Sequence, residues 1–133
     1  DKVVMTYTEA GSGVSPNTLC SAFTTSNSDQ STSAAVTIST ANPSALTVAG
    51  CTLGTLTLGN QYATTSNLSF ATSTISWTAS SQTLTIALGT RSGGPATTGK
   101  GVGIPRYTPA NTITDRAGNA MSATLFNGTN SNF

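Results

Sequence analysis

Histidine is absent from this sequence of 133 residues, and charged residues make up only 7% of it. The usual general base of hydrolases and the commonest transition-metal ligand are therefore both missing. The carboxylates are Asp1, Glu9, Asp29 and Asp115. Only Glu9 and Asp115 form a credible pair for glycosidase chemistry, since the other two lie at the terminus and in a polar stretch. We therefore expect no catalytic residues and no enzyme activity.

Basic residues are also few, and they are scattered along the chain. The formal net charge is +1, and the cations do not form the clustered footprint that neutralises phosphates, so nucleic acid is not an expected partner. No run approaches the roughly 20 apolar residues of a membrane span, and no signal-peptide pattern is present. We expect no membrane insertion, and either a mature secreted form or a segment of a larger protein.

Hydroxyl groups are what the sequence has in abundance. Ser and Thr supply about a third of the residues, so hydroxyls must wet the surface in place of ions, as suits the outside of a cell. Apolar residues still make up 36% of the chain. They fall in patterned runs, which indicates a folded chain and not a disordered one. Residues 1–133 are expected to form a single domain with its own core.

Cys20 and Cys51 are the only cysteines, and without histidine they have no partners for a zinc site. A disulfide is the natural pairing. It would close a loop of roughly 30 residues and stabilise the chain by about 3 to 4 kcal/mol in the chain-entropy model. That pairing predicts an oxidising, extracellular compartment. The alternative is two unrelated buried thiols in a reducing cytosol.

Alternating apolar and polar residues predict β-strands through most of the chain. Val3, Met5 and Tyr7 share one face of the first expected strand. The segment ISWTASSQTLTIAL predicts a hairpin around the polar turn ASSQ. Trp77 alternates in phase with Ile75, so we expect it in the core and not on a sugar-binding surface.

Further strands are expected at AAVTIS, ALTVAG, CTLGTLTLG, VGIPRYT and MSATLF. The last of these would place Met121, Ala123 and Leu125 on one side. Pro105 cannot donate to a sheet ladder, so its strand is expected at an edge or with a bulge. Seven to nine short antiparallel strands, separated by turn residues, predict an immunoglobulin-like β-sandwich.

Two stretches are expected to be solvated loops. Residues 24–33 contain no large apolar side chain, and residues 89–101 are rich in glycine. Between the first strand and the first of these loops, LCSAF predicts a short extended or single-turn segment. We expect that segment to turn Leu19 and Phe23 inward.

KVVMTYTEA near the start and YTPANTITDRAGNAMSATLF near the end resemble the opening and closing strands of bacterial Ig-like repeats. These include repeats of the cyanobacterial swimming protein and of S-layer-associated proteins, in which a Phe-Ser-Glu-like element ends the first strand and an Asp-x-Ala-Gly-Asn turn introduces the last. The counterparts here are Tyr7, Thr8 and Glu9, then Asp115, Ala117, Gly118 and Asn119. The resemblance implies a sandwich that serves as a spacer, adhesive unit or assembly unit on a cell surface, and it implies no reaction.

The DRAGNA segment has two interpretations. Calcium accepts carboxylate, amide and carbonyl oxygens, so Asp115 and Asn119 are candidate ligands, with Glu9 as a remote third. The favoured interpretation is structural: Asp115 accepts N–H groups of its own turn, while Gly118 or Asn119 adopts a positive φ. We therefore expect no cofactor, with calcium as the alternative.

The expected function is a non-catalytic structural or adhesive module of an extracellular surface, with neighbouring domains or copies of itself as partners. The alternative is a subunit of a homo-oligomeric extracellular filament or tube, in which one chain completes the sheet of the next. In that case a groove is left open, and KVVMTYT is apolar enough to fill the groove of a neighbour. A carbohydrate-binding module would instead need an exposed aromatic row, for which Tyr62 and Tyr107 are the candidates.

Overall fold

The computed structural model describes residues 1–9, 11, 13–95, 97 and 100–130. The strands are β1 (Lys2–Thr6), β2 (Gln30–Ile38), β3 (Ala45–Val48), β4 (Gly54–Thr57), β5 (Leu68–Thr78), β6 (Thr83–Ala87), β7 (Arg91–Gly93), β8 (Arg106–Pro109) and β9 (Phe126–Asn127). The one helix among the described elements is α1 (Pro16–Leu19). The chain is thus all-β, as predicted, and the described strands are within the predicted number.

The strands form one curled antiparallel sheet. Its order is β1-β6-β5-β2-β3-β4-β8-β9, and β7 pairs with β5 outside that path. Since successive side chains of a strand point to opposite faces, curling directs one side chain in two toward a shared interior. The curl also brings the two edges of the sheet, β1 and β9, to opposite sides of a single cleft.

Alternate side chains of the β5–β6 hairpin fill the interior. The register pairs Ile75 with Ile86 and Trp77 with Leu84. All four side chains are at most 2% exposed. The predicted hairpin and the predicted burial of Trp77 are therefore confirmed, although the indole Nε1 has no hydrogen-bond partner among the residues described.

The helix α1 is a single turn that carries Leu19 into the interior. Pro16 opens it, where a missing N–H costs no helical hydrogen bond. The backbone N–H of Cys20 donates to the carbonyl of Pro16 at 3.2 Å and ends the turn. Leu19 and Phe23 are 0% and 4% exposed, in agreement with the prediction for LCSAF.

Both predicted loops contain strand residues, so those predictions are wrong in part. Residues 30–33 open β2 and pair with β5. The ladder supplies backbone hydrogen bonds that need no apolar side chain, so a hydroxyl-rich stretch can form a strand beside a long partner. Within 89–101, Arg91–Gly93 form β7, while residues 96, 98 and 99 lie outside the described residues.

The predicted final strand MSATLF is wrong over most of its length. Only Phe126–Asn127 join the sheet, as β9, opposite Tyr107 and Arg106 of β8. Residues 122–130 are all exposed. The expected alternation is therefore present in the sequence, but none of the described strands covers it.

Candidate assembly seam

A cleft of about 400 Å³ separates β1 from β8 and the C-terminal segment. One wall is formed by residues 3–9, and the other by residues 105–107, 121–122 and 126–128, with Leu56 and Pro109. We call this cleft the seam. It marks the place where the curled sheet does not close, because β1 and β9 have no ladder with each other.

Backbone groups of β1 face the seam without a strand partner. The N–H of Tyr7 donates to the carbonyl of Gln82 at 2.9 Å, in the register that pairs β1 with β6. Hydrogen-bonded positions alternate along an antiparallel edge, so the odd-numbered residues of β1 direct their backbone groups toward β6. Those of Lys2, Val4 and Thr6 point the other way, into the seam. Among the described strands β1 pairs with β6 alone.

Two of the five exposed large apolar side chains lie at this edge. The large apolar side chains that are exposed among the described residues are Val4, Val102, Ile104, Leu125 and Phe126. Val4 and Phe126, at 51% and 53% exposed, line the seam, and Leu125 directly precedes Phe126. Val102 lies outside the seam. Apolar side chains next to an open strand edge are typical of a surface that binds another chain.

Two tyrosines form the floor of the seam. The hydroxyl of Tyr107 donates to the carbonyl of Leu53 at 2.7 Å, so the hydroxyl of Tyr7 donates to that of Tyr107 at 3.0 Å. The two rings meet edge to face, with centroids 6.2 Å apart. Burial raises the pKa of both phenols, so both are protonated at neutral pH.

β1 has few of the features that prevent an open strand edge from pairing with another chain. Sheet edges are commonly blunted by charged residues, proline or a bulge. The sequence of β1 is KVVMT, with its only charge at the first position and no proline, and its ladder with β6 runs without a register shift. Glu9 and Arg106 are the charged side chains that line the seam.

Asp115 and Asn119, the first two candidate calcium ligands, are hydrogen-bonded to each other within the DRAGNA turn. The backbone N–H of Asn119 donates to Asp115 Oδ1 at 2.8 Å, and the side-chain Nδ2 of Asn119 donates to Asp115 Oδ2 at 2.9 Å. These bonds lower the pKa of the Asp115 carboxyl. Gly118 has a φ of 90°, which a residue with a Cβ rarely adopts. This is the geometry that the structural interpretation predicts.

Glu9, the remote calcium candidate, lies at the seam, and its backbone carbonyl accepts a hydrogen bond from Gln82 Nε2 at 3.1 Å. In the part of the chain that the structure describes, no three His, Cys, Asp or Glu side chains come together as a metal-binding group. The turn itself accounts for both carboxylate oxygens of Asp115. Calcium at Glu9, Asp115 and Asn119 therefore stays a hypothesis without a structural argument in its favour.

Cys20 and Cys51 are joined in a disulfide, as the sequence predicts, with an S–S distance of 2.01 Å. The N–H of Thr52 also donates to the carbonyl of Leu19 at 2.8 Å. The bond thereby attaches the α1 turn to the chain between β3 and β4. The disulfide therefore anchors the chain just before β4. β4 pairs with β8, which forms part of one wall of the seam.

The aromatic candidates for sugar binding do not form an exposed row. Tyr62 is 4% exposed and Trp77 is 2% exposed. Tyr107 is half-buried, and its hydroxyl is engaged in the floor of the seam. The geometry of these three side chains thus gives no support to a carbohydrate-binding platform.

Comparison with known proteins adds no family. A scan of protein-family models and searches of curated proteins and of solved structures find no match to this chain. Within the described residues, no helix is long and apolar enough to cross a membrane. The seam and the disulfide are therefore the features from which a function is inferred.

Pattern analysis missed the seam, although one residue carries a signal for it. Val3 and Met5 alternate correctly toward the interior, but Val4 between them is also apolar. A strand covered on one face alternates, whereas a strand covered on both faces has a continuous apolar run. The run Val3, Val4, Met5 is thus typical of a strand whose outer face is also covered.

Proposed function

We propose that this chain is a non-catalytic structural module of an extracellular surface, and that it joins copies of itself by strand addition at the seam. The observation that carries the proposal is the edge of β1, where Lys2, Val4 and Thr6 present backbone groups that pair with no other strand in the described part of the chain. An added strand would bind this edge through main-chain hydrogen bonds and select its side chains at alternate positions. It would also lie beside the exposed side chain of Val4.

Two features support an extracellular location. The disulfide between Cys20 and Cys51 suits an oxidising compartment. A surface wetted by hydroxyls, in a chain with 7% charged residues, suits the exterior of a cell. The resemblance of the first and last strands to bacterial Ig-like repeats supports a role on that surface, and we infer that the curled sheet is an Ig-like sandwich.

The pairing of β1 within its own chain argues against the strand KVVMTYT as a donor. β1 pairs with β6 over its full length, from Lys2 to Thr6, and Met5 in the strand and Tyr7 directly after it are buried in the chain's own interior. Detaching it would remove core side chains. In our proposal β1 is therefore the acceptor edge.

Two substitutions at Val4 test strand addition. Val4→Pro removes an N–H that points into the seam and leaves the ladder with β6 intact, because proline is tolerated on edge strands. Val4→Ala is the matched control: it keeps the N–H and shortens only the exposed side chain. We expect wild type to associate as its concentration rises, Val4→Ala to associate more weakly, and Val4→Pro to remain monomeric.

Sedimentation velocity measures the association, and thermal melts check that each variant is folded. Negative-stain imaging of the concentrated wild type distinguishes small oligomers from filaments. A wild type that is monomeric at every concentration contradicts the proposal. So does a folded Val4→Pro variant that associates as strongly as wild type.

A further inference from the structure

We propose that the strand received by the seam is the segment of residues 121–126 from a second copy of this chain. This inference rests on the strand addition proposed above and adds the identity of the donor. Each copy then receives a strand at β1 and gives one from its C-terminal segment.

The first argument is a mismatch between sequence and structure in the donor segment. Met121, Ala123 and Leu125 alternate as they would in a half-buried strand. Yet Ala123 and Leu125 are exposed in the single chain, Leu125 at 52%. Elsewhere in the chain, as in the β5–β6 hairpin, alternation of this kind coincides with burial. A local pattern that the monomer leaves unsatisfied indicates a covering partner.

The second argument is that the segment is weakly held in its own chain. At its start the N–H of Met121 donates to the carbonyl of Ile113 at 2.7 Å, and beyond its end the N–H of Gly128 donates to that of Pro105 at 2.7 Å. Between them, only β9 forms a ladder. Residues 122–130 are exposed, so releasing the segment uncovers the interior only at Met121, which is partly buried and packs against the core.

The third argument explains why the donor comes from another copy. The same hydrogen bonds tie both ends of the segment to the β8 side of the seam, so in its own chain it borders the seam without pairing with β1. A segment from a second copy, once released from the equivalent bonds to its own β8, carries no tether to this β8. Exchange of one element between identical copies forms an assembly at a low cost in free energy.

The fourth argument is the match between donor and acceptor. Residues 120–130 contain no charged residue and no proline, so nothing in them opposes burial or interrupts a ladder. The donor segment has six residues and β1 has five, so the two are similar in length.

Cysteine cross-linking between two populations tests the donor. Val4→Cys in one copy is mixed with Ser122→Cys or Thr124→Cys in another, because Val4 faces outward and these two side chains alternate with the inward-facing Ala123 and Leu125 of the added strand. The mixture is oxidised mildly while Cys20 and Cys51 stay paired. We expect a disulfide-linked heterodimer in at least one mixture, several-fold above the homodimers. Val102→Cys is the matched control, because Val102 is 62% exposed but lies outside the seam; it should not cross-link with Val4→Cys.

The outcomes separate the donor from the seam. Cross-linking that occurs only within one chain, in a double cysteine variant of Val4 and Thr124 at monomer mass, would show that the chain's own segment closes the seam. Absence of any heterodimer, while Val4→Pro still prevents association, would overturn the donor and leave strand addition standing. A wild type that never associates overturns both. As a second measurement, Leu125→Asp should weaken association at least tenfold, whereas Val102→Asp should not.

Discussion

The phenol oxygens of Tyr7 and Tyr107 lie 3.0 Å apart, and this hydrogen bond links the end of β1 to β8 although the two strands share no ladder. The hydroxyl of Tyr107 in turn donates a hydrogen bond to the carbonyl of Leu53, which immediately precedes β4. Side chains thus hold the two walls of the seam together at its floor, while their backbones remain apart at its mouth.

Alkaline titration tests this floor. Burial raises the pKa of Tyr7 and Tyr107 above the ordinary value of about 10. A group with a raised folded-state pKa stabilises the fold fully below its unfolded pKa, and the stabilisation is lost as the pH rises through the folded pKa. We expect stability to fall above about pH 10, and two of the phenolates to appear only as the chain unfolds. Tyrosinate absorbance measures the ionisation, and circular dichroism measures the unfolding.

Tyr7→Phe supplies the control for that titration. It removes the hydrogen bond to Tyr107 and leaves the bond from Tyr107 to Leu53 in place. We expect a loss of about 1 kcal/mol in the free energy of unfolding and one fewer delayed phenol. Ordinary titration of every tyrosine in a chain that keeps its native circular dichroism would contradict the account of the floor.

The acid limb of stability is expected to depend on Asp115. Hydrogen bonds from the side chain and backbone of Asn119 lower the pKa of its carboxyl. A lowered pKa stabilises the fold at pH values above the unfolded pKa of about 3.9, and this stabilisation is lost as the pH falls through the folded pKa. Asp115→Asn should therefore show a shallower loss of stability below about pH 4, measured by urea unfolding. Superimposable acid limbs would contradict the role of this carboxylate.

The same variant tests calcium. Because the turn satisfies both oxygens of Asp115 by itself, we expect the Tm of wild type to be the same in chelator and in millimolar calcium. An ion that binds only the native state raises Tm with its concentration. A calcium-dependent rise in wild type that is absent from Asp115→Asn would instead establish a cation site, and Glu9 would be the next residue to replace.

Removal of the disulfide should cost stability in proportion to the loop it closes. Cys20 and Cys51 are separated by 31 positions, so replacing both with alanine should lower the free energy of unfolding by about 3 to 4 kcal/mol. Urea unfolding of the double variant measures the loss. Alkylation of two free thiols in the folded, unreduced protein would show that the bond does not form.

Alternation predicted the elements whose one face is buried. Ile75 and Trp77 in β5 lie opposite Ile86 and Leu84 in β6. The alternation is visible in the sequence because the buried positions of both strands carry apolar side chains. Residues 30–33 carry no such signal. Their strand depends on backbone pairing with the long β5, which is a tertiary effect that exposed Ser and Thr side chains do not reveal.

The seam was beyond prediction for a different reason. Whether a curled sheet closes depends on the distance between its first and last strands, and that distance is set by packing across the whole interior. Sequence patterns gave both sides of the seam separately, as the run through Val4 and as the alternation through Leu125. Only the structure shows that the two sides border one cleft without pairing across it.

Amide hydrogen exchange along β1, resolved by NMR, tests the open edge most directly. The N–H groups of Val3 and Met5 point toward β6, whereas those of Val4 and Thr6 point into the seam. In the dilute monomer we expect Val4 and Thr6 to exchange much faster than Val3 and Met5. On association their protection should rise at least tenfold, with little change at Val3 and Met5. Uniform protection along β1 in the monomer, or unchanged exchange of Val4 and Thr6 on association, would contradict an acceptor edge at the seam.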